Sequence, residues 1–305
     1  MAIWQARAPR MTEPAAGSIY DLGYRRYEGV RAGRRRAWWA LYVDSLRAAF
    51  GLGRGAAAKI APAILIGLAL MPAIVQLAIG ALVSADVELI THDDYYNLVK
   101  FLLALYCAVL APDIVGRDQR SRSLVLYFAR AISRVDYALA KYAAMFTAML
   151  AITLVPQLLL FFGNALATPD FQDYLKEDWD QFLPIVATSA LGAALISSVG
   201  LAIAAQTPRR AFATVGIIIA FVFTFVLAGL MVSELASDIT RVTIFASPFS
   251  LIEGFTAWIF RVAPSDSDSF VLRAGYPLAA YAAAGVAVTV AGLGLLVLRY
   301  QRVEA

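Results

Sequence analysis

The chain has 305 residues, of which 61% are apolar and 16% are charged, whereas an ordinary soluble domain has about 45–50% and about 25%. The apolar residues occur in runs of about twenty, the length that a helix needs to cross a bilayer about 30 Å thick. This pattern excludes a soluble globular domain, and because the basic residues flank the apolar runs we attribute the net charge of +4 to membrane topology and expect no nucleic-acid binding.

Residues 1–60 predict a cytoplasmic tail that ends in an interfacial helix. The first 36 residues are polar and rich in arginine, unlike a signal peptide, so we expect the first apolar run to be retained. Residues 34–49 read RRRAWWALYVDSLRAA and predict an amphipathic helix at the membrane surface, although a cytosolic partner could bind the same face. The predicted interfacial anchor residues are Arg34, Arg35, Arg36, Trp38 and Trp39.

Six apolar runs predict an all-α membrane protein with about six transmembrane helices. The transmembrane domain covers residues 61–298, and residues 299–305 form a second cytoplasmic tail. The predicted spans are 61–83, 98–115, 142–166, 182–204, 211–232 and 276–298. The second span is the shortest and begins beside Lys100, whose side chain we expect to extend outward toward water.

The orientation of these spans is predicted by the distribution of basic residues. Of the 26 lysines and arginines, 21 fall on the side of the two termini and five on the other side. Because cytoplasmic loops retain positive charge, both termini are expected in the cytoplasm of a multi-pass protein of the cell membrane.

The loop between the fifth and sixth spans contains a second apolar stretch, residues 247–262, which is too short to cross a bilayer comfortably. Backbone that enters lipid must satisfy its hydrogen bonds internally. We therefore expect one or two short re-entrant or interfacial helices here, broken near Gly254.

The chain lacks a cluster of residues that would indicate catalysis or a metal site. His92 is the single histidine and should be solvated in an acidic loop, Cys107 should be a small buried residue, and Asp113 should lie at the membrane interface. Gln157 and Asn164 should form hydrogen bonds between helices. We therefore expect no enzyme activity, no metal and no cofactor in this chain.

The chain also lacks a nucleotide site of its own. Residues 51–59, GLGRGAAAK, resemble a phosphate-binding loop but lack its terminal G-K-[ST]. An ATPase, if one supplies the energy, must be a separate chain.

The loop after the second span carries a family signature. Residues 112–144 read PDIVGRDQRSRSLVLYFARAISRVDYALAKYAA. This stretch resembles the corresponding loop of type-2 ATP-binding-cassette (ABC) exporter permeases, and residues 20–29, YDLGYRRYEG, are similar to the start of many such permeases. The matching positions are Asp118, Ser123, Leu124, Arg130, Ile132, Ser133, Arg134, Tyr137, Leu139 and Lys141, and the departures are Arg122, Ala131 and Ala140.

The resemblance implies that this loop is a cytoplasmic coupling helix that docks in a groove of an ATPase subunit. It implies two copies of that ATPase, which carry ATP and Mg, and a second permease chain, identical or similar, with the second and fifth spans facing the cargo. The residues implied in coupling are Arg117, Asp118, Arg120, Arg122, Ser123, Leu124, Arg130, Ser133 and Arg134.

Other functions remain open. The arginines of the loop could bind lipid and enforce topology without touching a partner. The apolar spans favour a lipid, a hydrophobic drug or an amphipathic peptide as cargo. The alternatives are a membrane scaffold or regulatory subunit without transport, and a membrane-embedded lipid-modifying enzyme.

Overall fold

The long apolar runs of the sequence fold into helices, and no β-strand occurs in the part of the chain that the structure describes. The computed structural model describes residues 29, 33–53, 55–82, 90–121, 123–129, 132–167, 176, 178–235, 238–264, 266 and 268–302. The α-helices are α1 (Gly33–Ala49), α2 (Ala57–Leu82), α3 (His92–Ile114), α4 (Gly116–Arg120), α5 (Leu124–Phe128), α6 (Arg134–Ala167), α7 (Trp179–Ala204), α8 (Arg210–Ile218), α9 (Thr224–Leu230), α10 (Asp238–Arg241), α11 (Pro248–Phe260), α12 (Phe270–Ala274) and α13 (Leu278–Gln301).

Six helices among the described residues are long and apolar enough to cross a membrane, which confirms the predicted number. They are Ala58–Gly80, His92–Arg120, Arg134–Leu166, Trp179–Ala204, Arg210–Glu234 and Leu278–Gln301. The second and third begin six and eight residues before the predicted starts at 98 and 142. The predictions followed the apolar runs, whereas these helices begin at polar residues near Thr91 and Ser133, whose side chains accept hydrogen bonds from the first turns.

The fourth span, α7, occupies the centre of the bundle and packs against α3, α6, α11 and α13. Small residues allow these close approaches. A Cβ atom built on Gly200 would lie 2.0 Å from the sulfur of Cys107, and one on Gly292 would lie 3.1 Å from the Cβ of Ser198. Cys107 is fully buried in this contact, as the sequence predicted.

The fifth span alternates between two helix types. It contains α8, a π-helical turn at Ile219–Phe223, α9, and a second π-helical turn at Met231–Leu235. The π-helical turns widen the helix locally and are frequent at functional sites. The span is therefore less regular than α7, against which its first segment packs.

Helix α1 forms where the sequence predicted it and packs alongside the beginning of α6. Its buried residues Leu41, Ser45 and Ala49 recur every four positions, so they lie on one face of the helix. The hydroxyl of Tyr42 donates a hydrogen bond to Thr147 on α6, at 3.0 Å. The interfacial position of α1 in a membrane stays a prediction.

Helix α11 lies between the fifth and sixth spans, where short helices were predicted. The predicted break near Gly254 is wrong, because α11 continues through this residue and is buried on most of its length. A Cβ atom at position 254 would lie 2.3 Å from the ring of Tyr281, so the glycine serves close packing against α13. A re-entrant position in the bilayer stays a prediction.

A buried ion pair joins α3 to α11. The ammonium of Lys100 lies 3.4 Å from the carboxylate of Glu253, and both side chains are largely buried. The same ammonium lies 5.0 Å from the ring centroid of Phe225 in the fifth span, and Ser269 donates a hydrogen bond to Glu253. The expectation that Lys100 extends outward was therefore wrong, because Glu253 offers it a partner inside the protein.

His92 is buried at the start of α3 and is not solvated as the sequence suggested. Its Nδ1 lies 2.5 Å from Oε1 of Gln157, and Nε2 of Gln157 donates to the carbonyl of His92 at 2.7 Å. This contact confirms the predicted helix-to-helix hydrogen bonding of Gln157. Among the described residues, no group of three acidic, histidine or cysteine side chains could hold a metal ion.

Candidate coupling site

One end of the bundle gathers α4, α5, the turn before α8, the start of α6 and the end of α13; we call it the basic end. Its described basic residues are Arg117, Arg120, Arg134, Lys141, Arg209, Arg210, Arg299 and Arg302. Hydrogen bonds join its parts. Gln119 on α4 donates to the carbonyl of Ala205 and to the hydroxyl of Tyr300, at 3.1 and 3.2 Å. Helix α4 therefore rests on the ends of the fourth and sixth spans.

Asp118 anchors α4 to α6. Its carboxylate lies 2.8 Å from the ammonium of Lys141, and it accepts a hydrogen bond of 2.7 Å from the hydroxyl of Tyr137. The side chain of Asp118 is 13% exposed and that of Lys141 is 5% exposed. Asp118 was predicted among the residues that couple to a partner, and the structure turns its carboxylate into the protein.

An aromatic cluster packs against α5. The ring of Tyr137 lies 5.7 Å from Tyr127 and 5.8 Å from Phe128, centroid to centroid, and 4.8 Å from Tyr300. The edge-to-face geometry of the Phe128 and Tyr300 contacts is favourable for aromatic rings. Because Tyr137 belongs to α6 and Tyr300 to α13, the cluster connects α5 to two of the membrane-capable helices.

Helix α5 directs one apolar residue inward and two outward. Leu124 is buried in the core, whereas Val125 is 52% exposed and Leu126 is 69% exposed. Leu124 was predicted among the coupling residues. Successive residues of a helix point about 100° apart, so a five-residue helix cannot bury all of its apolar side chains. Val125 was missed, because a run of apolar residues does not show which of them faces the core.

Ser133 begins α6 by a reciprocal capping interaction with Asp136. The hydroxyl of Ser133 accepts a hydrogen bond from the backbone amide of Asp136, and the carboxylate of Asp136 accepts one from the amide of Ser133, both at 3.1 Å. Ser133 was predicted to contact a partner, and in the structure it fixes the first turn of α6.

Arg34 holds α1 to the same turn. Its guanidinium donates two hydrogen bonds to the carboxylate of Asp136, at 2.6 and 2.7 Å, and these bonds with the attraction of the charge raise the pKa of Arg34 above its usual value. Arg34 was predicted as an interfacial anchor residue, which stays a prediction, and in the structure its guanidinium binds Asp136. Of the other predicted anchor residues, Arg35, Arg36 and Trp39 are exposed, and Trp38 stacks on Tyr42.

The other residues predicted for coupling are distributed around the short helices. Arg120 donates to the carbonyl of Pro208, Arg134 donates to the carbonyl of Gln301, and Ser123 donates to the carbonyl of Asp118. The guanidinium of Arg117 is exposed and has no hydrogen bond or ion pair within the described part of the chain. Arg122 and Arg130 lie outside the described residues.

The basic end also contains a cavity of about 550 Å³ between α2, α3 and the start of α8. Three arginines, one aspartate and several small or apolar residues line it. The lining residues are Ala48, Ala58, Ala61, Pro62, Val109, Leu110, Asp113, Arg117, Arg120 and Arg210. Asp113 lies 3.5 Å from Arg210 and 4.0 Å from Arg120, at the basic end of its span. Its place at the membrane interface stays a prediction.

Six membrane-capable helices with two short helices held on one end of the bundle define a multi-pass membrane protein. Residues 68–305 match the family model described as ABC-2 family transporter protein. The match covers more than half of the chain, so the chain belongs to the ABC-2 family of transporter membrane proteins, and the resemblance found in residues 112–144 is confirmed. Among curated proteins, none matches this chain.

Proposed function

We propose that this chain is the permease subunit of an ATP-driven exporter, with the basic end as the site that an ATPase binds. The observation that carries the proposal is the exposed apolar pair, Val125 and Leu126, on a short helix at the end richest in arginine. Apolar side chains at the centre of an interface and arginines near its rim are typical of surfaces that bind other proteins.

The contacts that connect α5 to the membrane spans suit this helix to transmit force to them. Asp118 ties α4 to Lys141, and the ring of Tyr137 packs against α5 and against Tyr300 of the sixth span. A partner that moves α5 would therefore move the two spans that these residues belong to. Since a ligand shifts a conformational equilibrium only through its different affinity for the two states, the ATP-bound partner must prefer a different position of α5 from the ATP-free partner.

The basic end should face the cytoplasm, because 21 of the 26 basic residues of the sequence fall on the side of this end and of the two termini. Two copies of the ATPase, carrying ATP and Mg, would then bind two permease chains, each through its own α5. The cargo would pass along the second and fifth spans, whose outward faces are apolar. An apolar path suits a lipid, a hydrophobic drug or an amphipathic peptide.

The proposal is tested by co-purification of the full chain with candidate cytosolic ATPases. We expect the double variant Val125→Ser, Leu126→Ser to lose the ATPase, because an interface loses its apolar centre. Leu52→Ser is the control, since it removes an apolar side chain as exposed as Val125 from the turn after α1. This variant should retain the ATPase.

Two outcomes would contradict the proposal. If the wild-type chain binds no ATPase with or without nucleotide, the chain is not an ATP-driven permease. If an ATPase binds but reconstituted vesicles show no ATP-dependent movement of any lipid or drug tested, the chain is a scaffold or regulator that uses α5 only as a binding surface.

A further inference from the structure

We propose that the cavity at the basic end binds a lipid with a phosphate-bearing headgroup, with the acyl chain along an exposed stripe of α3. This inference rests on the proposed function and names the class of cargo. Its first support is charge, because three arginines and one carboxylate line the cavity and leave it positive. The planar guanidinium of arginine matches the geometry of phosphate oxygens.

Arg117 is the residue best placed to receive an anion. Arg120 and Arg210 lie within 4.0 Å of Asp113, whereas the exposed side chain of Arg117 makes no hydrogen bond or ion pair within the described residues. Arg210 is also the first residue of α8, and no side chain caps that helix in the part of the chain described here. The free amide groups and positive dipole end of a helix start favour anions.

The second support is the apolar track that continues from the cavity. Val109 lines the cavity, and Leu105, Phe101 and Leu98 follow it along α3 at intervals of four, four and three residues. The last three side chains are exposed, although α3 is one of the more deeply buried spans. Eleven residues of helix rise about 16 Å, which is about half of a bilayer core 30 Å thick.

The arginine-lined cavity and the apolar stripe of α3 together match the headgroup and the acyl chain of one lipid in one leaflet. The arginines would lie at the depth of the phosphates, and the stripe would cover the acyl chain to the middle of the bilayer. A soluble phosphate has no acyl chain to contact the stripe. A neutral hydrophobic drug has no negative charge for the arginines to bind.

The test measures binding of lipid to the purified full chain in detergent micelles, without an ATPase. Fluorescent phosphatidic acid and phosphatidylcholine with identical acyl chains are titrated, and anisotropy gives the two Kd values. We expect phosphatidic acid to bind about tenfold more tightly, and Arg117→Gln to remove most of that preference, as the loss of one charge-assisted contact predicts. The matched control, Arg302→Gln, removes an exposed arginine of the same end that does not line the cavity, and should change Kd by less than about twofold.

A second pair of variants tests the acyl track. Leu105→Asn should weaken both lipids, because it interrupts the stripe, whereas Leu295→Asn, at an exposed leucine of α13, should weaken neither. Size-exclusion chromatography of each variant shows whether it remains folded. The proposal is overturned if the two lipids bind wild type equally, or if Arg302→Gln acts like Arg117→Gln. It is also overturned if inorganic phosphate displaces phosphatidic acid while Leu105→Asn has no effect.

The outcome is independent of the ATPase experiment. Loss of lipid preference in Arg117→Gln with normal ATPase binding places the arginine in the lipid site. Loss of ATPase binding with an unchanged lipid preference places it in the coupling surface, and this result rejects the lipid site while the proposed function stands. Failure of Val125→Ser, Leu126→Ser to release the ATPase would reject the coupling surface and leave the lipid measurement untouched.

Discussion

Replacement of Asp118 by asparagine should destabilise the basic end by leaving Lys141 without its counter-ion. The ammonium of Lys141 lies 2.8 Å from Asp118 and its side chain is 5% exposed, so water cannot replace the carboxylate. Removal of one partner of a buried pair costs about 3–5 kcal/mol. Because the ring of Tyr137 remains 5.3 Å from the ammonium and Asp118 is partly accessible, we expect a loss near the lower limit, about 3 kcal/mol.

The measurement is a double-mutant cycle of Asp118→Asn, Lys141→Met and both together. The free energy of unfolding is obtained from titration with sodium dodecyl sulfate in mixed micelles, followed by tryptophan fluorescence. The double variant should be more stable than the sum of the single losses predicts, with a coupling energy of about 2 kcal/mol, as expected for residues in direct contact. A coupling energy below about 0.5 kcal/mol would refute the stabilising ion pair of Asp118 with Lys141. Asp118 would then be assigned to the surface that faces a partner.

Three further substitutions, two of them with a matched control, are measured by the same unfolding titration. Ser133→Ala should lose about 1 kcal/mol with the cap of α6, whereas Ser133→Thr keeps the hydroxyl and should lose little; equal losses would show that the cap is unimportant. Gly254→Ala should lose about 1–3 kcal/mol, because its Cβ atom collides with a tyrosine ring of α13. Gly294→Ala meets nothing within 4 Å and should be neutral or stabilising by up to about 1 kcal/mol; similar losses in both would contradict the packing argument. Gln157→Leu should lose about 1–3 kcal/mol by leaving buried His92 without its partner, and an unchanged stability would show that water replaces the amide.

The six spans could be predicted from the sequence because a membrane span is a local property, a run of about twenty apolar residues. The starts of the second and third spans could not be predicted from hydrophobicity, since they depend on caps. The family motif of residues 112–144 correctly identified the class of protein, because its spacing is also local.

Contacts between distant parts of the chain were not predictable. Lys100 and Glu253 are 153 positions apart, and the one signal of their pairing in the sequence was a glutamate within an apolar stretch. The motif contained Asp118 but could not show that its carboxylate turns toward α6. In the same way, the sequence of α5 did not show that Leu124 faces the core while Val125 faces outward. Each of these contacts depends on which helices pack against one another, and a single sequence does not show the packing of helices.

The contact of Cys107 with Gly200 has a practical consequence. Cys107 is the single cysteine of the chain, and it is fully buried between two spans. Thiol reagents require an exposed thiolate, so the natural protein should remain unlabelled while folded. A cysteine introduced at Leu126 or Leu105 would then be the one reactive position, and spin labels or cross-linkers placed there could report the distance between two copies of the chain without any alteration of its core.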